Sequence, residues 1–215
     1  MSRGGGPVVV KLGGSFAFSN RLRDWIATLA SCAGRVVIVP GGGPFADAVR
    51  SAQATMGFDD QAAHHMAVLA IEQFGRALIG LNDMLSPADS AAAIKGGLAA
   101  GRVPVWMPAG MVLAARNIPG SWDVTSDSLA AWLAGTIGAS RLLLIKHVVS
   151  LTGRELFEDL AARGIVDKAF PRFHKMSAVS ALILDSSDYE GALAAIRNGA
   201  DIGVPVQCIG PVAIG

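Results

Sequence analysis

A lysine, a glycine pair and a serine close the first apolar run of the chain: Val8-Val9-Val10-Lys11-Leu12-Gly13-Gly14-Ser15. A second run, Val36-Val37-Ile38-Val39, breaks into Pro40-Gly41-Gly42-Gly43-Pro44. Glycine directly after a strand lets backbone N–H groups approach a ligand with no Cβ in the way. Such groups at the start of a following helix hold anions. Two loops of this kind near one sheet edge would grip a polyphosphate from both sides, with Lys11 as a fixed positive charge. That is the chemistry of phosphoryl transfer. Charge spreads over the equatorial oxygens of the moving group, so oriented cations and N–H groups suffice and no nucleophilic side chain is required.

Other residues could join such a site. Arginine supplies thirteen of the eighteen basic residues, leaving only Lys11, Lys95, Lys146, Lys168 and Lys175 as lysines, so lysine stands where a compact point charge is wanted. In Trp122-Asp123-Val124-Thr125-Ser126-Asp127-Ser128, Ser126 or Asp127 is placed to cap the next helix. Asp123 is a substrate contact or a loop charge, and Asp167 reads as a turn residue. His64 and His65 are adjacent and point about 100° apart on a helix, so they cannot share one metal, and no metal-ligand spacing is present. The Walker pattern is absent; Gly41–Ala46 fits the weaker dinucleotide fingerprint, with Asp59 and Asp60 roughly twenty residues on.

These residues need strands and helices to hold them. Strands are expected at 8–12, 35–39, 103–107, 141–145, 179–184 and 206–209. Helices are expected at 20–33 (Asn20 as N-cap), 45–56 (ended by Gly57), from Asp59 or Asp60 through Leu85, then 89–100, 127–137 and 189–198. Residues 153–164 read as a short helix and turn, and 165–176 as a basic loop. The alternation gives a three-layer α/β fold with a mainly parallel sheet covered on both faces, as a single domain of 215 residues. Hydrophobic residues are 52%, charged residues 16%, and mean hydropathy is +0.46. No run reaches the roughly eighteen apolar residues of a membrane span, and a net charge of +1 gives no pull toward nucleic acid. Cys32 and Cys208 read as free thiols. A cytoplasmic location is expected, and the apolar helix 64–85 suggests a homo-oligomer.

The motifs at 8–15, 36–47 and 121–131 resemble the amino acid kinase superfamily, whose members include acetylglutamate, carbamate, uridylate and isopentenyl phosphate kinases. The resemblance implies that Lys11, Gly13, Gly14 and Ser15 face the β- and γ-phosphates of ATP, with Mg²⁺ as its counter-ion. It implies Gly41, Gly42 and Gly43 at the acceptor, a small phosphorylated or carboxylated molecule, and Asp127 as the orienter of the lysines. An acceptor part over about 1–120 and a nucleotide part over about 121–215 follow. The chain departs from better-known members where Lys146-His147-Val148-Val149-Ser150 replaces Thr-Asp-Val-Asp-Gly, and a late Gly-Thr-Gly-Gly-Met with a second lysine is absent. Lys146, Lys168 or Lys175 must then supply the second cation, with Lys146 favoured by its strand-end position; Asp167 and Lys175 are expected near the nucleotide. The segment Ala63–Gly75 is similar to the branch of methanofuran biosynthesis, which phosphorylates an aminomethyl-furan-methanol phosphate. On that resemblance His64, Glu72 (or Gln73), Asp123 and Ser126 would contact the acceptor, with Glu72 pairing with the acceptor's ammonium group. Uridylate or isopentenyl phosphate kinases, and a non-catalytic nucleotide- or oxyanion-binding protein on the same fold, are the alternatives.

Overall fold

Valine and isoleucine on both sides of the pleat mark strands buried on both faces, and two such runs form adjacent parallel strands, β1 (Val8–Leu12) and β2 (Val36–Pro40). The computed structural model describes residues 5–147, 151, 156–198 and 204–205. After β1 come a 3-10 turn (Gly14–Phe18) and α1 (Leu22–Ala30); after β2 come α2 (Gly43–Met56) and α3 (Asp60–Ile79). Then follow β3 (Leu85–Ala88), α4 (Ala91–Ala99), β4 (Val103–Trp106), α5 (Ala109–Val112), α6 (Ser126–Thr136) and β5 (Arg141–Lys146). The remainder is α7 (Phe157–Ala162), α8 (Phe170–Ser177), β6 (Ala181–Asp185), α9 (Tyr189–Asn198) and β7 (Val204–Pro205). The sheet runs β3-β4-β2-β1-β5-β6-β7, parallel except for the two-residue β7, which is antiparallel to β6.

Side-chain alternation sorts the core into two layers. Val9, Val37, Leu142 and Leu144 pack under α6, α7 and α8 through Leu129, Phe157 and Phe170. Val8, Val10, Ile38 and Leu143 pack under α1 and α9 through Trp25, Leu29 and Ala195. Trp25 is fully buried and its indole N–H donates to the Ser186 carbonyl at 2.9 Å, so its polar atom is satisfied inside the core.

The expected three-layer α/β architecture is the observed one, with four local differences. Asn20 is not the cap of α1; Arg21 holds that position, and its N–H donates to Ser19 Oγ at 3.2 Å. The helix expected to continue through Leu85 stops at Ile79, where Gly80 and an Asn82 turn, closed by Met84 N–H on Asn82 Oδ1, release the chain into β3. Leu85-Ser86-Pro87-Ala88 has little strand character in sequence, and Pro87 is tolerated because β3 is an edge strand. The region expected as a basic loop contains α8, whose Phe170 and Phe173 are buried and whose Pro171 sits in the first turn, where a missing N–H costs nothing. Residues 206–209, expected as the last strand, lie outside the described residues. Among the described residues no helix is long and apolar enough to cross a membrane.

Candidate active site

Strand register brings two lysines together. Lys11 of β1 pairs with Leu144 of β5, so Lys146 stands two residues further along and on the same face of the sheet. That face is covered by α6, and Asp127 in its first turn reaches between them. Lys11 Nζ lies 2.9 Å from Asp127 Oδ1, and Lys146 Nζ lies 2.6 Å from Oδ2. Lys11 is 6% and Asp127 4% exposed. Burial alone would raise the Asp127 pKa; the two ammonium charges outweigh it and hold the carboxyl down at about 2. Burial, and then the charge of Lys11, lower Lys146 to about 8 against the pull of Asp127. Two cations around one carboxylate give the triad one positive charge in excess, tempered at Lys146 by the nearby Asp167 carboxyl, and that excess favours an anion.

The start of α6 explains why the Asp127 carboxylate is free for this task. Thr125 is the N-cap and makes no side-chain cap bond of its own. The cap comes from Asp167, forty residues later, whose Oδ2 accepts from Thr125 N–H at 3.0 Å, Thr125 Oγ1 at 2.9 Å and Ser128 N–H at 2.9 Å. Its Oδ1 takes the Ser128 hydroxyl. The Asp167 N–H in turn donates to Asp127 Oδ2 at 3.3 Å. Burial, then the nearby Asp127 charge, push the Asp167 pKa up, opposed by the Ser128 and Thr125 bonds.

The two glycine loops meet backbone to backbone beside this centre. A Cβ on Gly14 would lie 2.1 Å from Gly43 N, and one on Gly41 would lie 2.2 Å from Gly14 N. Gly43 also opens α2 at φ +54°, a conformation that only glycine adopts freely. Gly41 N–H donates to Leu12 O at 2.9 Å, prolonging the β1–β2 ladder into the loops. The His147 ring stacks on Phe16 at 4.6 Å, fastening the end of β5 to the first loop.

From the loops a cleft of about 360 Å³ opens between α2, α3 and the segment 121–126. Gly14, Ser15, Gly42, Gly43, Ser126 and His64 border it. Gly13 lies behind, where a Cβ would come 3.3 Å from Lys11 Nζ. Three expected acceptor residues lie off the cleft, the first being Gly41, whose N–H is taken by Leu12 O. Glu72 is not on the cleft; it follows Ile71 around α3, and its Oε1 takes the Ala109 N–H at 2.8 Å. Asp123 also turns outward, to an exposed ion pair with Lys168 at 3.2 Å. Lys175 is exposed on α8, and neither it nor Asp167 borders the cleft.

The outer wall is built from residues that sequence reasoning did not assign to the site. Arg50 lies 4.4 Å above the Trp122 ring and 3.3 Å from Asp47. The Trp122 N–H donates to Gln53 Oε1 at 2.7 Å, and Gln53 Nε2 donates to Asp60 Oδ1 at 2.9 Å. The signal for Asp47 and Arg50 was present: they follow Gly43 by four and seven residues, along one face of α2.

The sequence model of the amino acid kinase family matches residues 6–151. The chain is similar to the [5-(aminomethyl)furan-3-yl]methyl phosphate kinase of Methanocaldococcus jannaschii, 22% identical over 190 residues, covering 82% of this chain and 87% of the relative. Its fold matches uridylate kinase from Archaeoglobus fulgidus, with a TM-score of 0.70 and 19% identity over 94% of this chain and 100% of the other. UMP kinase from Bacillus anthracis gives 0.68 and 15%, over 95% and 96%. With the family's sequence pattern spanning both glycine loops and the Asp127 helix, the chain belongs to the amino acid kinase family and is a kinase.

Proposed function

We propose that the chain moves the γ-phosphoryl group of ATP onto a small phosphate monoester, with [5-(aminomethyl)furan-3-yl]methyl phosphate as the acceptor and a diphosphate as the product. The observation that carries this reading is the Lys11–Asp127–Lys146 cluster beside two interlocked glycine loops that open into a separate cleft. The donor set fits polyphosphate: two ammonium groups and loop N–H groups, with a carboxylate that aims the ammoniums rather than repelling the ligand. Lys11, Lys146, Gly13, Gly14 and Ser15 would hold the nucleotide phosphates, and Gly42 and Gly43 the acceptor phosphate, with Gly41 setting the turn. Bound Mg²⁺ would supply further charge neutralisation on the nucleotide.

The reaction breaks the bond between the γ-phosphorus and the oxygen that leaves with ADP, and forms one to an oxygen of the acceptor phosphate. A phosphate monoester is largely dianionic at neutral pH, so its attacking oxygen carries no proton and no general base is needed. Lys11 and Lys146 stabilise charge on the moving group, and Asp127 fixes both ammoniums in place. Asp167 positions Asp127 by capping α6. His64 and Ser126 line the acceptor side.

The fold likeness to uridylate kinases favours a second acceptor, UMP. Transfer from γ-labelled ATP to a panel of phosphate monoesters separates the two: diphosphate formed from the furan ester and not from UMP supports the proposal. Transfer to UMP alone replaces the acceptor, and ATP binding without turnover of any ester overturns catalysis in favour of a nucleotide-binding protein.

A further inference from the structure

The charges in the cleft are unevenly placed. Behind its inner end, next to the lining residues Gly14 and Ser126 but off the lining itself, lie Lys11 and Lys146 around Asp127. At its outer end the charged residues are Asp47, Arg50 and Asp60, of which Asp47 and Arg50 pair with each other. Asp60 remains, fixed by Gln53, which the Trp122 indole fixes in turn. One turn along the same face of α3 is His64, 8% exposed and bordering the cleft. The tilted His65 ring lies 6.4 Å away, and among the described residues His64 has no hydrogen-bond partner. Its ring borders the cleft with no protein group claiming it, so its nitrogens are free to meet a ligand there. Burial, and then the proximity of His65, hold His64 toward its neutral form, in which one ring nitrogen accepts a hydrogen bond. Beyond His64, Val68 and Ile71 continue the stripe as apolar floor.

We infer that Asp60 and His64 form a subsite for a protonated amine, so the acceptor is a zwitterion with its phosphate at the glycine loops and its ammonium at the start of α3. This rests on the reading of the cleft as the acceptor site. Asp60 supplies the opposite charge, His64 accepts one ammonium N–H, and the apolar floor takes the body of the molecule. A nucleoside monophosphate presents no cation there, and an alkyl phosphate leaves Asp60 without a counter-charge and His64 without a partner. The subsite also replaces Glu72, whose carboxylate is spent on α5.

The test compares two acceptors with wild type, Asp60→Asn and His64→Gln: the aminomethyl furan ester and its counterpart with methyl in place of aminomethyl. The expected result is a wild-type preference for the amine of about tenfold or more in kcat/KM. That ratio falls toward one in both variants, carried by KM rather than kcat. A wild-type ratio near one, or variants that slow both esters equally, overturns the inference. If neither furan ester is phosphorylated, the furan acceptor falls, and calorimetry with 2-aminoethyl phosphate and ethyl phosphate decides the subsite. Tighter binding of the amine, lost in Asp60→Asn, upholds it, and equal binding overturns it.

Discussion

The two ends of the cleft are built on different principles. Behind the inner end, Lys11, Asp127 and Lys146 are buried, and their positions follow from the register of β1 against β5 and a cap that Asp167 delivers from a distant loop. At the outer end, Arg50, Asp47, Asp60 and Trp122 stand on helix surfaces and a loop, joined by partly exposed bonds. Displacing the inner triad means disturbing the sheet; the outer wall changes one side chain at a time. Chemistry common to a family belongs on the first kind of support, and choice of acceptor on the second.

Substitutions should therefore differ in size and kind. Asp127→Asn leaves two buried ammonium groups facing a neutral amide. The expected loss is about 3–5 kcal/mol of stability, read from urea unfolding, with transfer activity abolished. Lys11→Ala keeps the Asp127–Lys146 pair and removes one charge at the transition state. We expect kcat to fall by about 10²–10³-fold with the fold intact by circular dichroism. A variant that keeps wild-type turnover would remove Lys11 from the inner end.

A pH series tests the inner end without mutation. Lys146 binds its proton less tightly folded, at about 8, than at the ordinary value of 10.5. Between those values the unfolded chain holds more protons, so stability rises with pH across that window. Activity should run the other way, with kcat/KM falling above about pH 8 as the cation is lost. Parallel rise or parallel fall of the two curves would contradict the assignment. The smallest effect belongs to the outer wall: Trp122→Phe keeps a ring but loses the bond to Gln53. The expected cost is about 1 kcal/mol, seen as a several-fold rise in acceptor KM with kcat for bound substrate unchanged.

The contrast also explains what the sequence revealed. Strand-end glycines and a lysine are local signals, since a run of valines followed by Gly-Gly-Ser has few other readings. Lys146 was legible from its place at a strand end, and Asp127 from its place at a helix start. The family resemblance implied Asp127 as the lysine partner, but its position alone did not separate that role from a cap, because the answer lies with Asp167, which reaches α6 through tertiary packing. Glu72 misled for a similar reason. Its position on α3 was readable, but its pairing with the Ala109 N–H depends on where α5 docks. Leu85–Ala88 escaped because its strand character comes from β4 alongside it rather than from its own residues.

The sheet order has a consequence for synthesis on the ribosome. β3, β4, β2 and β1 can assemble once Trp106 has emerged, yet β1 then has one partner only. Its second, β5, begins at Arg141. In the interval the Val8–Leu12 edge presents unpaired N–H and C=O groups beside apolar side chains, the kind of template that recruits other chains. The strand that ends at the centre of the finished protein is thus the nascent chain's most adhesive surface. Fragments ending before Arg141 should aggregate, while those that include β5 and β6 should stay dispersed.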